Sequence, residues 1–233
     1  SMLSPLDYIL WAIGILAPLY VCGHAVVRGH FHRYVALNLF MPASALLSAG
    51  RFVVFDRYGF TSLEYLYFYY YSDCLLTILL YFSILDHYQQ VFSETGVARY
   101  IRIGAILLLA STAAISFQIV RDSLDHLTGR FVVELSRNLY FVGLVLTYLL
   151  WFGVMKLKES RTRLVQLVLA MGVSFAGFSA LYAFRLMYAG LGIVTFLTSV
   201  MGSFLPLAWA YTFTRIPEEA RLVPAWVALG SRR

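Results

Sequence analysis

Apolar residues in this chain arrive in blocks separated by short polar stretches rather than in alternating or strictly amphipathic patterns. Seven blocks stand out, at 8–27, 34–50, 65–85, 103–120, 139–155, 164–184 and 191–214. Each matches the roughly 17–25 residues that cross a hydrocarbon core as a helix. The pattern predicts an all-α integral membrane protein, a bundle of seven transmembrane helices forming one domain over residues 1–233, with 215–233 as a short tail. The longest linkers, 86–102 and 121–138, are too short for an extramembrane domain. The opening SMLSPLDY has no basic stretch, so the first block reads as a span rather than a cleaved leader.

Composition agrees with this pattern. Charged residues make up 13% of the chain, against about 25% in ordinary soluble domains. The two cysteines, Cys22 and Cys74, both fall inside apolar blocks, which argues against a disulfide framework.

The net charge of +6 is unevenly distributed. Twelve basic residues (Arg28, Arg33, Arg99, Arg102, Lys156, Lys158, Arg161, Arg163, Arg215, Arg221, Arg232 and Arg233) belong to one side of the predicted bundle. Six (Arg51, Arg57, Arg121, Arg130, Arg137 and Arg185) belong to the other. The positive-inside rule then puts the N-terminus outside and the C-terminus in the cytoplasm of, by expectation, a bacterial inner membrane. The basicity is thus a topology signal and not a nucleic-acid footprint. The expected partners are the lipid bilayer, a small-molecule or ion ligand, and a second copy of the chain or another membrane protein.

The third block carries the most chemistry. It reads YLYFYYYSD over 65–73. Asp73 lies ten residues in from Leu63, about 15 Å at helical rise and near the midplane. A carboxylate there costs roughly 3 kcal/mol on insertion scales, so it turns inward and marks a functional site by default. Helical spacing puts Tyr69, Tyr70 and Thr77 on its face as the expected hydroxyl partners, while Tyr71 points away. Tyr65 and Tyr67 read as interfacial belt residues. Arg51, Arg137 and Arg185 are the candidate cations of the outer half, and Asn38 is a polar group for the inner half. Together these eight residues (Asp73, Tyr69, Tyr70, Thr77, Arg51, Arg137, Arg185 and Asn38) form the candidate ligand or ion pathway, an outward-facing polar cavity ending at Asp73.

Other chemistries find less support. His24, His30 and His32 sit at or just after the end of the first span, and His87 ends the third. His24 and His87 are the candidate metal or haem ligands, but no motif groups them with others, so no metal and no cofactor is expected. No nucleophile or H-E-x-x-H motif points to an enzyme. A retinal Schiff base needs a lysine in the seventh span, and both lysines lie in the turn KLKESRTR. The third span ends in LDHYQ and the seventh in LPLAWAY, neither of them a G-protein-coupled receptor motif.

An offset of 130 residues aligns Arg33, Val35, Leu37, Leu39, Met41, Ser44 and Tyr58 with Arg163, Val165, Leu167, Leu169, Met171, Ser174 and Tyr188. This suggests two parallel three-helix repeats joined by the fourth span. The plan resembles that of the SWEET sugar transporters, although Pro18 and Pro42 have no counterparts in spans five and six. Small residues recur on the sixth span (Gly172, Ala176, Ala180, Ala183) and on the seventh (Thr195, Ser199, Gly202, Pro206), where they permit close helix approach or wall a cavity. A transporter or channel is the expected function. The alternatives are a receptor binding a ligand in the tyrosine-rich half and a structural subunit of a membrane complex.

Overall fold

The computed structural model describes residues 4–122, 127–188 and 192–218, together with 222, 224 and 227. Within them the chain is all-helical: α1 (Pro5–Val27), α2 (Val35–Tyr58), α3 (Leu63–Val91), α4 (Ala98–Val120), α5 (Leu127–Lys156), α6 (Thr162–Met187) and α7 (Gly192–Arg215). Each is long and apolar enough to cross a membrane. Large apolar side chains such as Leu16, Ile106 and Phe152 stay exposed on the outside of the bundle, where lipid would cover them.

The helix ends follow from local chemistry. Ser4 and Asp7 form a reciprocal capping box at the start of α1, with Pro5 at the first helical position. The Ser62 hydroxyl accepts from the Tyr65 amide to start α3. Gly59 ends α2 at φ +84°, a backbone state open to glycine at little cost. The start of α2 has no cap of its own, and Asp86 of α3 supplies one by accepting from the Ala36 amide at 2.9 Å.

The helices are longer than the hydrophobic blocks. Arg130, Glu134 and Arg137 hide the first three turns of α5 from a hydropathy reading, so much of the expected 121–138 linker is helix. Two of these charges pair along the helix. Glu134 binds Arg137, and Asn138 bridges Glu134 to Ser116 of α4.

Helix contacts run round a ring, α1–α2–α3–α5–α6–α7 and back to α1, with α4 outside against α5 and α3. Exchanging α1, α2 and α3 for α5, α6 and α7 leaves this order unchanged, as two parallel repeats require. Two of the aligned pairs match in full burial, Leu37 with Leu167 and Met41 with Met171, whereas Arg33 is exposed and Arg163 buried.

The half of the ring nearer the C-terminal tail is solid. Phe40 packs edge-on against Trp209, and Tyr34 against Phe213. Leu37, Met41, Leu167 and Met171 complete this core. Below it an ion cluster closes the bundle. Glu218 accepts from Arg163 at 2.7 Å and from Arg33 at 3.2 Å, with the Tyr34 hydroxyl donating at 3.3 Å. Arg33 and Arg163 are 130 residues apart, so one tail carboxylate clasps two positions related by that offset.

Candidate functional site

The opposite half of the ring is hollow. A cavity of about 360 Å3 runs from the end where α1 begins, at Asp7, Phe60 and Tyr65, down to Phe40, Leu80 and Pro206. Its volume is in the range of small-molecule sites. All the ring helices contribute; α4 does not.

Asp73 stands on the cavity wall and is 7% exposed. The cavity continues about two turns past it to Leu80 rather than ending there. Its carboxylate accepts two phenolic hydrogen bonds, from Tyr140 of α5 at 3.1 Å and from Tyr182 of α6 at 2.5 Å. These two rings lie 5.5 Å apart, and Tyr140 stacks on Phe178 at 5.1 Å. Asp73 thus ties three helices, α3, α5 and α6, at one point. The expected partners on its own helix do other things. Thr77 is buried and donates back to the Asp73 carbonyl at 2.6 Å, while Tyr69 and Tyr70 line the cavity beside the carboxylate.

Arg51 and Arg185 line the same cavity and flank one ring. The Arg51 guanidinium lies 4.4 Å from the Tyr69 centroid and that of Arg185 lies 5.8 Å from it. Such stacking is worth about 0.5–2 kcal/mol depending on desolvation. Arg51 is held by the Ser72 hydroxyl at 2.8 Å, and Arg185 by the Thr198 hydroxyl at 3.1 Å. Among the described residues neither guanidinium has a carboxylate within ion-pair distance.

The remaining candidates lie elsewhere. Arg137 pairs with Glu134 and does not line the cavity. Asn38 is fully buried at the tail end, where its amide donates to the Phe31 carbonyl at 3.1 Å and secures the α1–α2 turn. His87 is buried against Tyr34 with its Nδ1 2.6 Å from the Ser83 carbonyl. Neither His24 nor His87 belongs to a group of three or more potential metal ligands among the described residues.

The tyrosine-rich segment divides differently from the expected belt. Tyr65 is buried at the cavity mouth, packed on Phe60 at 5.2 Å, rather than facing the outside of the bundle. Trp11, Phe55, Phe60, Tyr65, Tyr69 and Tyr70 form a continuous aromatic line around the opening. Tyr71 is exposed on the outside, as its helical position predicts.

The repeat offset reappears in the wall. Leu10 and Tyr140, Ser48 and Phe178, Asp73 and Ser203, and Leu76 and Pro206 are pairs separated by 130 residues, and both members of each pair line the cavity. Ser199, Gly202 and Pro206 supply the small-residue wall on α7, while the Thr195 side chain lies outside the described residues. Comparison with protein-family models, curated proteins and solved structures gives no match for this chain.

Proposed function

We propose that this chain is a membrane transporter for a small solute, bound in the cavity beside Asp73 and released through the opposite half of the bundle. The carrying observation is the contrast between the two halves of one ring. A cavity reaches past the middle from the N-terminal end, and a packed core with an ion cluster seals the tail end. In this reading the structure is the outward-open member of an alternating pair, with the basic tail end in the cytoplasm of a bacterial inner membrane. A channel would need a continuous polar path, whereas Leu37, Met41, Leu167 and Met171 present a close-packed apolar barrier.

The repeats supply a means of switching. Rocking one three-helix unit against the other closes one end of the ring as it opens the other. Glu218 spans both units through Arg33 and Arg163, so releasing it would free the sealed half. On the cavity side, Asp73 joins α3 of one unit to α5 and α6 of the other through Tyr140 and Tyr182. A ligand that competes for this carboxylate would act on the contact between the units.

The test is uptake into proteoliposomes of a panel of labelled carboxylates, amines and sugars, with wild type, Asp73→Asn and protein-free vesicles in parallel. Protein-dependent uptake of one solute class is expected. Asp73→Asn should slow it about tenfold, in line with one weakened charged hydrogen bond. Absence of protein-dependent uptake across the panel would reject transport, and a receptor or structural subunit would behave in that way.

A further inference from the structure

The charges in the cavity break the repeat. At the 130-residue offset Arg51 aligns with Leu181, Arg185 with Phe55, and Asp73 with Ser203. Each place in the fold therefore accepts an apolar or neutral side chain in one of its two copies. Packing of the repeat does not explain the guanidiniums, so their cause lies in what the cavity holds.

Arginines at membrane depth are costly and turn toward partners or water-filled cavities. Here two of them converge on Tyr69 and hold no carboxylate among the described residues. Asp73, the carboxylate deeper in the wall, is taken up by two tyrosine hydroxyls. Asp7, at the mouth, is engaged in the capping box of α1. Asp7 and Asp73 are the carboxylates among the described lining residues, and neither lies within ion-pair distance of Arg51 or Arg185. A guanidinium presents several donors in a planar fork that matches carboxylate geometry. The lower wall, at Leu76, Phe178, Met201 and Leu205, is apolar.

We propose that the ligand is a small organic monoanion, with its carboxylate received between Arg51 and Arg185 above Tyr69 and its apolar body directed down toward Leu76 and Phe178. This rests on the cavity being a solute site, as the transport reading has it. A carboxylate would supply the two guanidiniums with the ion-pair partner they lack among the described residues, which neither a cation nor a neutral solute would do. Asp73 lies beyond the arginines and offers its remaining lone pairs to a hydroxyl or amide donor on the body of the ligand.

Binding in detergent, without any flux, separates this inference from the transport reading. Benzoate, hexanoate and lactate are compared with their amides and with benzylamine and hexylamine by thermal unfolding and titration calorimetry. At least one carboxylate is expected to raise Tm while its amide and the matching amine do not. Arg51→Gln and Arg185→Gln should each weaken that carboxylate about tenfold or more, as loss of a charged hydrogen bond implies, and Arg137→Gln should leave it unchanged. If Arg51→Gln fails to fold, Arg185→Gln and Arg51→Lys carry the same comparison. Stabilisation by an amine in preference to its carboxylate, or by no carboxylate, overturns the monoanion. An amine that is transported would overturn it while leaving transport intact. A carboxylate that binds without flux would keep the site and reject transport.

Discussion

Replacing Tyr182 by phenylalanine removes one hydroxyl from the Asp73 cluster and nothing else of size. The lost contact is the shorter of the two phenol–carboxylate bonds, 2.5 Å against 3.1 Å for Tyr140. A hydrogen bond to a charged group contributes about 1.5–3 kcal/mol, although polar contacts within membrane bundles measured by double-mutant cycles fall nearer 0.6–1.7 kcal/mol. About 1.5–2 kcal/mol is therefore expected for Tyr182→Phe, and less for Tyr140→Phe. At about 2–4 °C per kcal/mol for a chain of this size, Tyr182→Phe should lower Tm by roughly 3–8 °C in detergent, followed by tryptophan fluorescence. The stronger test is the cycle with Asp73→Leu. Without the carboxylate the Tyr182 hydroxyl has nothing to bind there, so Tyr182→Phe should become nearly neutral, giving a coupling of about 1–2 kcal/mol. Equal costs of Tyr182→Phe with and without Asp73 would refute the three-helix tie.

Other substitutions test separate parts of the structure. A Cβ on Gly143 would run into the ring of fully buried Phe175, which stands beside Tyr140, so Gly143→Ala should cost about 1–3 kcal/mol by overpacking and show as a lowered Tm. Asp86→Ala frees the Ala36 amide at the start of α2 and should cost about 1 kcal/mol, the value of a helix cap, in the same assay. Arg137→Gln should leave uptake unchanged because Arg137 pairs with Glu134 away from the cavity, and its effect on Tm should stay within about 1 kcal/mol, as for a half-exposed ion pair.

The sequence makes the spans legible because hydropathy is a sum over about 20 residues and tolerates local detail. It makes Asp73 legible because a carboxylate at that depth has few alternatives to facing the bundle. It does not reveal the partners of that carboxylate. Helical spacing ranks only neighbours on the same helix, here Tyr69, Tyr70 and Thr77, whereas Tyr140 and Tyr182 come from 67 and 109 residues away. Thr77 had a local acceptor, the carbonyl one turn back, and took it. Arg51 and Arg185 could be placed at the right depth, but their convergence on Tyr69 depends on the ring order. Arg137 looked equivalent in depth, yet Glu134 three residues before it was the nearer partner. The first turns of α5 were hidden by three charged residues that lie along a helix rather than in a loop. The one long-range signal in the sequence is the offset of 130, and several pairs of cavity residues and the two arginines on Glu218 stand at that spacing.

Alternating access of the cavity is the central claim, and a cysteine at Leu76 tests it most directly. This half-buried position lines the cavity beyond Asp73. With Cys22 and Cys74 replaced by serine, sealed vesicles are treated with a membrane-impermeant thiol reagent on one side or the other, with and without Glu218→Gln. The account predicts modification of Leu76→Cys from the N-terminal side in the parent, and a marked gain from the tail side when Glu218→Gln loosens the clasp. Modification from the N-terminal side alone, unchanged by Glu218→Gln, would contradict it.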